Sequence, residues 1–95
     1  MVRPDDIVLV KTGEKAKGNT EIYLESKVLK CNTSLVQLLQ TLPSNFLQIN
    51  RFEIINVHWI SYIDHVNKEI FMRNGQVLMI GSSFNKNLCK SLGVR

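Results

Sequence analysis

Apolar and polar positions in this chain alternate mostly in short runs, a pattern of strands rather than long helices. Four consecutive aliphatics open it, and Ile7 to Lys11 is expected to be a strand. Thr12 to Asn19 (TGEKAKGN), with its two glycines and two lysines, is expected to be an exposed loop. Thr20 to Leu24 and Lys27 to Cys31 read as strands joined through Glu25 and Ser26, a two-residue hairpin connection. The pattern then changes period. Leu35, Leu38, Leu39 and Leu42 recur at i, i+3, i+4 and i+7 behind the capping chemistry of Asn32 to Ser34, and Pro43 ends that helix. Strands are expected again at Phe46 to Asn50, around Ile54 to Val57, at Ile60 to Asp64, Glu69 to Arg73 and Val77 to Gly81. Asn74-Gly75 is the strongest turn signal and suits a type I′ hairpin, in which both central residues take positive φ. Ser82 or Ser83 caps a short last helix with Phe84, Leu88 and Leu92 on one face and Gly93 at its end.

These elements predict a mainly β, antiparallel fold with one or two short helices, and 95 residues suffice for one core but not two. The chain is expected to be a single domain over 1–95, ordered from about 6 to 93, with Asp5 and Asp6 near a flexible end. Composition adds one deviation. Twelve Lys plus Arg against eight Asp plus Glu give a net charge of +4, which permits binding to a polyanion without requiring it. Cys31 and Cys89 lie far apart outside any metal-ligand spacing and are expected to be buried free thiols. The opening segment is too polar for a signal peptide or a membrane span, which makes a cytoplasmic location the default.

Catalytic chemistry finds little support. His58 and His65 fall in strand segments without a nearby nucleophile or ligand spacing, the acidic residues are scattered, and neither a P-loop nor GxGxxG occurs. Neither a catalytic site, a metal, a cofactor nor a small-molecule substrate is expected. Three clusters suit binding instead, each with a structural alternative. Lys15, Lys17 and Asn19 form either a solvated connection or a loop whose ammonium groups meet phosphates. Gln48, Asn50 and Arg51 stand at a strand end, where amide and guanidinium groups fit base edges; their alternative is a polar outer face with Arg51 paired to Glu53. Ser82, Ser83, Asn85 and Lys86 either cap a helix or bring hydroxyls and N–H groups to a phosphate oxygen. Phe46, Phe52, Trp59, Tyr62, Phe71 and Phe84 read mostly as core rather than a base-stacking platform, which argues against single-stranded RNA.

The order of these features resembles the LytTR-type DNA-binding domain, an output module of bacterial two-component response regulators. DIVLVKTGEKAKGNTEIYL resembles its opening strand, loop and strand. SLVQLLQTLPSNFLQINRFEIIN resembles its helix and F-x-R-x-H-[RK]-S-x-x-V-N segment, and ISYIDHVNKEIFMRNGQVLMIGSSF its closing hairpin and I-G-R-S-[YF] run. The resemblance spans Asp6 to Leu92 and implies an elongated fold of about ten short strands in three small sheets. It implies loop-mediated binding of double-stranded DNA, usually by two domains on a direct repeat, with a homodimer on DNA possible. Its three contact loops fall at about Lys15 to Asn19, at Gln48, Asn50 and Arg51, and at Ser82, Ser83, Asn85 and Lys86.

This chain departs from the family pattern where contacts are made. Gln48 stands where Arg is common, Asn50 where His is common, Phe52 where a small hydroxyl residue is common, and Ser82 where Arg often contacts a base. Arg51 and the loop lysines keep their type, whereas Asn56, Asn74 and Gly75 match as structural residues. Three expectations follow: a domain that reads a different DNA sequence with amides, one that binds weakly and needs a second copy, or a degenerate protein-interaction or dimerisation module with little DNA affinity.

Overall fold

The aliphatic run near the start of the chain becomes the middle strand of the larger of two sheets. The computed structural model describes residues 3–12, 20–85 and 88. In it, β1 (Ile7–Thr12) pairs with β2 (Thr20–Leu24) on one side and β5 (Glu53–Asn56) on the other. With β3 (Val28–Cys31) and β4 (Phe46–Asn50) at the edges, the order is β3-β2-β1-β5-β4. β6 (Ile60–Asp64), β7 (Glu69–Met72) and β8 (Val77–Met79) form the second sheet in chain order. All pairings are antiparallel. The described residues hold one α-helix, α1 (Leu35–Thr41), and 3-10 turns at Pro4–Asp6 and Val57–Trp59.

The mainly β architecture agrees with the sequence pattern, and the body measures 35 × 24 × 22 Å. Among the described residues there are eight strands in two sheets rather than about ten in three. Because β5 pairs with both β1 and β4, the first five strands fuse into one sheet. β5 stops at Asn56 rather than Val57, where the Asn56 side chain accepts the His58 N–H and turns the backbone. His58 therefore lies in a 3-10 turn and His65 in a hairpin loop, neither in a strand. The N-terminal segment is also structured: Pro4–Asp6 forms its turn, and Trp59 Nε1 donates to the Asp5 carbonyl at 3.1 Å.

The larger sheet is covered on both faces, which accounts for the unbroken apolar run in β1. A bulge in its pairing with β2 sends Ile7 and Val10 to one side and Val8 and Leu9 to the other. Ile7, Val10, Phe46 and Ile54 pack with Leu35 of α1, whereas Val8, Leu9, Ile49 and Ile55 meet Ile70, Met72 and Leu78 of the second sheet. α1 begins in a capping box: Ser34 Oγ accepts the Gln37 N–H, and Gln37 Oε1 accepts the Ser34 N–H. It ends where the Leu42 N–H reaches the Leu38 carbonyl and Pro43 has no N–H to continue the ladder.

One local expectation is met and three change. The Glu25-Ser26 connection holds, with the Leu24 N–H donating to the Lys27 carbonyl at 2.8 Å. The Asn74-Gly75 turn is not type I′, because Gly75 alone of the two has positive φ, at 93°. Met72 bonds to Gln76 across a three-residue loop, and the Gly75 N–H returns to the Met72 carbonyl, so a turn is followed by a left-handed glycine. Cys31 is a free thiol but only half-buried, and Cys89 lies outside the described residues. Tyr62 is 54% exposed and is not core.

Two side chains fasten the connections. Asn56 is fully buried: its Nδ2 donates to the Ile7 carbonyl at 2.9 Å, while its Oδ1 accepts Asn45 Nδ2 and the His58 N–H. Asp64 closes the β6–β7 loop by accepting the Val66 and Asn67 N–H groups and the Asn67 side chain. The Asn67 backbone bond first, then its side-chain bond, holds the Asp64 carboxyl below its ordinary 3.8.

Asn56→Ala strands the Ile7 carbonyl and the His58 N–H, and a loss of about 2–4 kcal/mol is expected in denaturant unfolding. Because the Asp64 pKa is lower folded than unfolded, its contribution is complete at neutral pH and is lost as pH falls through the folded value. In an NMR titration the Asn67 amide and the Asp64 carboxyl are expected to report the same transition, below 3.8.

Candidate nucleic-acid interface

Backbone bonds gather several connections at one end of the molecule. The Thr12 N–H donates to the Phe52 carbonyl at 2.8 Å, which sets the end of β1 beside the β4–β5 turn. On the other side of that turn, the Gly81 N–H donates to the Ile49 carbonyl at 2.7 Å. The Ile80 N–H donates to the Lys68 carbonyl at 2.9 Å, bringing in the β6–β7 loop. Gly81 permits the close approach, since a Cβ there would lie 3.0 Å from the Phe84 ring and 3.4 Å from Asn50 Cα. Ser82 and Ser83 thus leave the sheet beside Asn50, and both are exposed.

Asn50 holds this end together. Its Nδ2 donates to Glu53 Oε1 at 2.7 Å and to the Met79 carbonyl at 2.8 Å, and its Oδ1 accepts the Phe52 N–H at 2.8 Å. Both amide hydrogens are therefore engaged, and neither remains for the bidentate contact to adenine. Glu53 also pairs with Lys11 at 3.4 Å, so the anticipated Arg51–Glu53 pair is replaced by Lys11–Glu53. Lys11 lies 5.4 Å from the Tyr23 ring centre, and the Tyr23 hydroxyl donates to Glu21. Burial first, then Glu21, pushes the Tyr23 pKa up. A cleft of about 510 Å³ opens here between Lys11, Asn50, Phe52, Glu53 and Met79, with its lysine and glutamate neutralising each other.

Arg51 is placed differently. It is exposed, and its guanidinium lies 5.9 Å from the Phe52 ring centre, so Phe52 supports the cation from below. Gln48 does not join Arg51; it lines a groove of about 380 Å³ with Leu39, Leu42, Phe46, Phe84 and Leu88. Asn85 starts the last helical turn, with its N–H directed to the Gly81 carbonyl at 3.2 Å. Lys15, Lys17, Asn19 and Lys86 lie outside the described residues, although Thr12 and Thr20, which pair at the ends of β1 and β2, fix where the first loop departs. Sequence reasoning missed Lys68 and Gly81. Nothing local marks Lys68, whose φ of 57° comes from the loop that Asp64 closes, whereas a glycine ending an apolar strand was a visible sign of close approach.

The description "LytTr DNA-binding domain" belongs to the family that matches residues 1–93. The chain belongs to the LytTr DNA-binding domain family. A solved LytTr domain from Bacillus cereus, from a protein described as a methyl-accepting/DNA response regulator, superposes with a TM-score of 0.86 at 24% identity. The alignment covers 97% of this chain and 85% of that one, and it supports the fold. No curated protein matches the chain. For this LytTr domain, DNA is the class of partner that membership supports, and mostly β architecture is shared with the solved relative. No described helix is long and apolar enough to cross a membrane.

With three bonds from one side chain, Asn50→Ala is expected to destabilise this LytTr domain by about 1–3 kcal/mol. A clamp predicts lower affinity for all duplexes alike, whereas a base-reading role predicts changed preference at one base pair; a binding-site selection with the variant separates them.

Proposed function

We propose that the chain is a sequence-specific double-stranded DNA-binding domain that regulates transcription through its loops, as the output module of a response regulator in the cytoplasm. The observation that carries this reading is the convergence of the exposed Arg51 turn and the Ser82-Ser83 segment on one end of a domain of the LytTr family. Arg51 supplies the bidentate donor for a guanine edge, and Phe52 limits its freedom. Ser82, Ser83 and Asn85, together with Lys15, Lys17, Asn19 and Lys86, contact phosphates or nearby base edges. Asn50 sets the distance between the two segments, and Gln48 flanks them from the adjoining groove. Two copies on a direct repeat compensate for the shorter contact side chains at Gln48 and Ser82. The net charge of +4 favours approach to the duplex.

Titration of fluorescent duplexes from a selected pool tests the reading. Affinity is expected to fall steeply with salt as phosphate contacts release counterions. Arg51→Ala is expected to cost about 1–3 kcal/mol at particular base pairs, whereas Lys17→Ala weakens all duplexes alike. No selected sequence together with no salt slope would overturn specific DNA binding, and equal losses by both variants on every duplex would overturn the division of roles.

A further inference from the structure

We propose that the outer face of the β6–β7–β8 sheet is a self-association surface that takes a second copy of this chain across a two-fold axis. Ile70, Met72 and Leu78 turn inward to the core, so by strand alternation Glu69, Phe71, Val77 and Met79 turn outward. Tyr62, Phe71 and Val77 stand directly opposite one another across the three strands. The Tyr62 and Phe71 rings stack at 4.4 Å with 6° between their planes, yet Tyr62 is 54%, Val77 48% and Met79 56% exposed. One contiguous apolar row thus crosses the sheet and meets water, where an isolated exposed side chain would need no explanation.

The occupant follows from charge. Glu69 opens the central strand, Phe71 stands two residues on, and Arg73, exposed, follows in the turn just past the end of the strand, so an acid and a base flank the ring. A row of this kind is complementary to its own copy running the other way. Across a two-fold axis through Phe71, each Glu69 meets the partner's Arg73 and the two rings meet each other. Facing sheets pack with strands within about 30° of alignment, a divergence that the long Glu and Arg side chains span. The face is small, three short strands about 4.8 Å apart, so it buries well under the ~1,600 Å² of a standard interface and association is weak.

Glu69 and Met79 stand opposite one another toward the Arg51 end, and antiparallel pairing therefore places the two recognition ends at opposite extremes. Such a pair joins copies held on separate duplexes rather than neighbours on one direct repeat. The proposal stands apart from the DNA reading, because it is tested without DNA.

Sedimentation of the full chain from about 10 μM to about 1 mM at low salt is the experiment. A reversible monomer–dimer equilibrium is expected. Glu69→Arg and Arg73→Glu each place like charges together and are expected to weaken it about tenfold or more, with circular dichroism and thermal unfolding confirming that each variant is folded. The double variant Glu69→Arg/Arg73→Glu restores opposite charges across the axis, and its dimerisation is expected to return to within about threefold of the starting chain. A chain that stays monomeric throughout overturns the proposal. So does a dimer indifferent to either single variant, or a double variant no better than the singles, the result expected if the face serves a different protein.

Discussion

A strand of consecutive aliphatic side chains cannot leave either face in water, and that constraint organises this molecule. Each of Ile7, Val8, Leu9 and Val10 stabilises the fold by about 1.5–3 kcal/mol only if it is covered. Cover is needed on both faces, since alternation with one bulge divides the run between them. α1 covers one face and the second sheet covers the other. The neighbouring strand repeats the arrangement with Ile54 on the helix side and Ile55 on the sheet side. The order of layers follows: helix, larger sheet, smaller sheet.

Joining two sheets leaves backbone polar groups at the seams that need partners, and two asparagines supply them. Asn56 ties the end of β5 to Ile7 and starts the turn that leads into the second sheet. Asn50 does the corresponding work at the other end of β5, linking the β4–β5 turn to Glu53 and to Met79 of β8. An amide suits both places because it donates and accepts at once without the desolvation cost of a charge. The end of the molecule that carries the proposed contacts is therefore rigid beneath and exposed above. Arg51, Ser82 and Ser83 project from a base in which Lys11, Glu53 and Asn50 neutralise and bind one another.

Much of the architecture was legible because it follows from short-range rules. β2, β4 and β6 have the limits that the apolar runs suggested, and the capped Leu-rich helix ends at Pro43. The turn at Asn74-Gly75 was legible in place but not in type. Where Met72 and Gln76 pair decides how many residues the loop contains, and that register is set by packing of Ile70 and Leu78 against the core. Asn50 was legible as an unusual residue but not as a clamp, since its partner at Met79 lies 29 residues away. Tyr62 looked like core for the same reason: an aromatic among aliphatics does not announce which side of its sheet is covered.

The sequence by itself determined the strand-rich class, the helix and its limits, the family resemblance and the basic balance, because each depends on residue type and spacing along the chain. Only the tertiary structure decided that Glu53 takes Lys11 and leaves Arg51 to Phe52, that Gln48 faces a groove apart from Arg51, and that Gly81 lies against Asn50 and Phe84. It also decided that Tyr62 and Phe71 stack on an uncovered face. The physical reason is common to all four. Hydrogen bonds, ion pairs and close packing depend on separation in space, and sheet pairing between distant segments sets that separation.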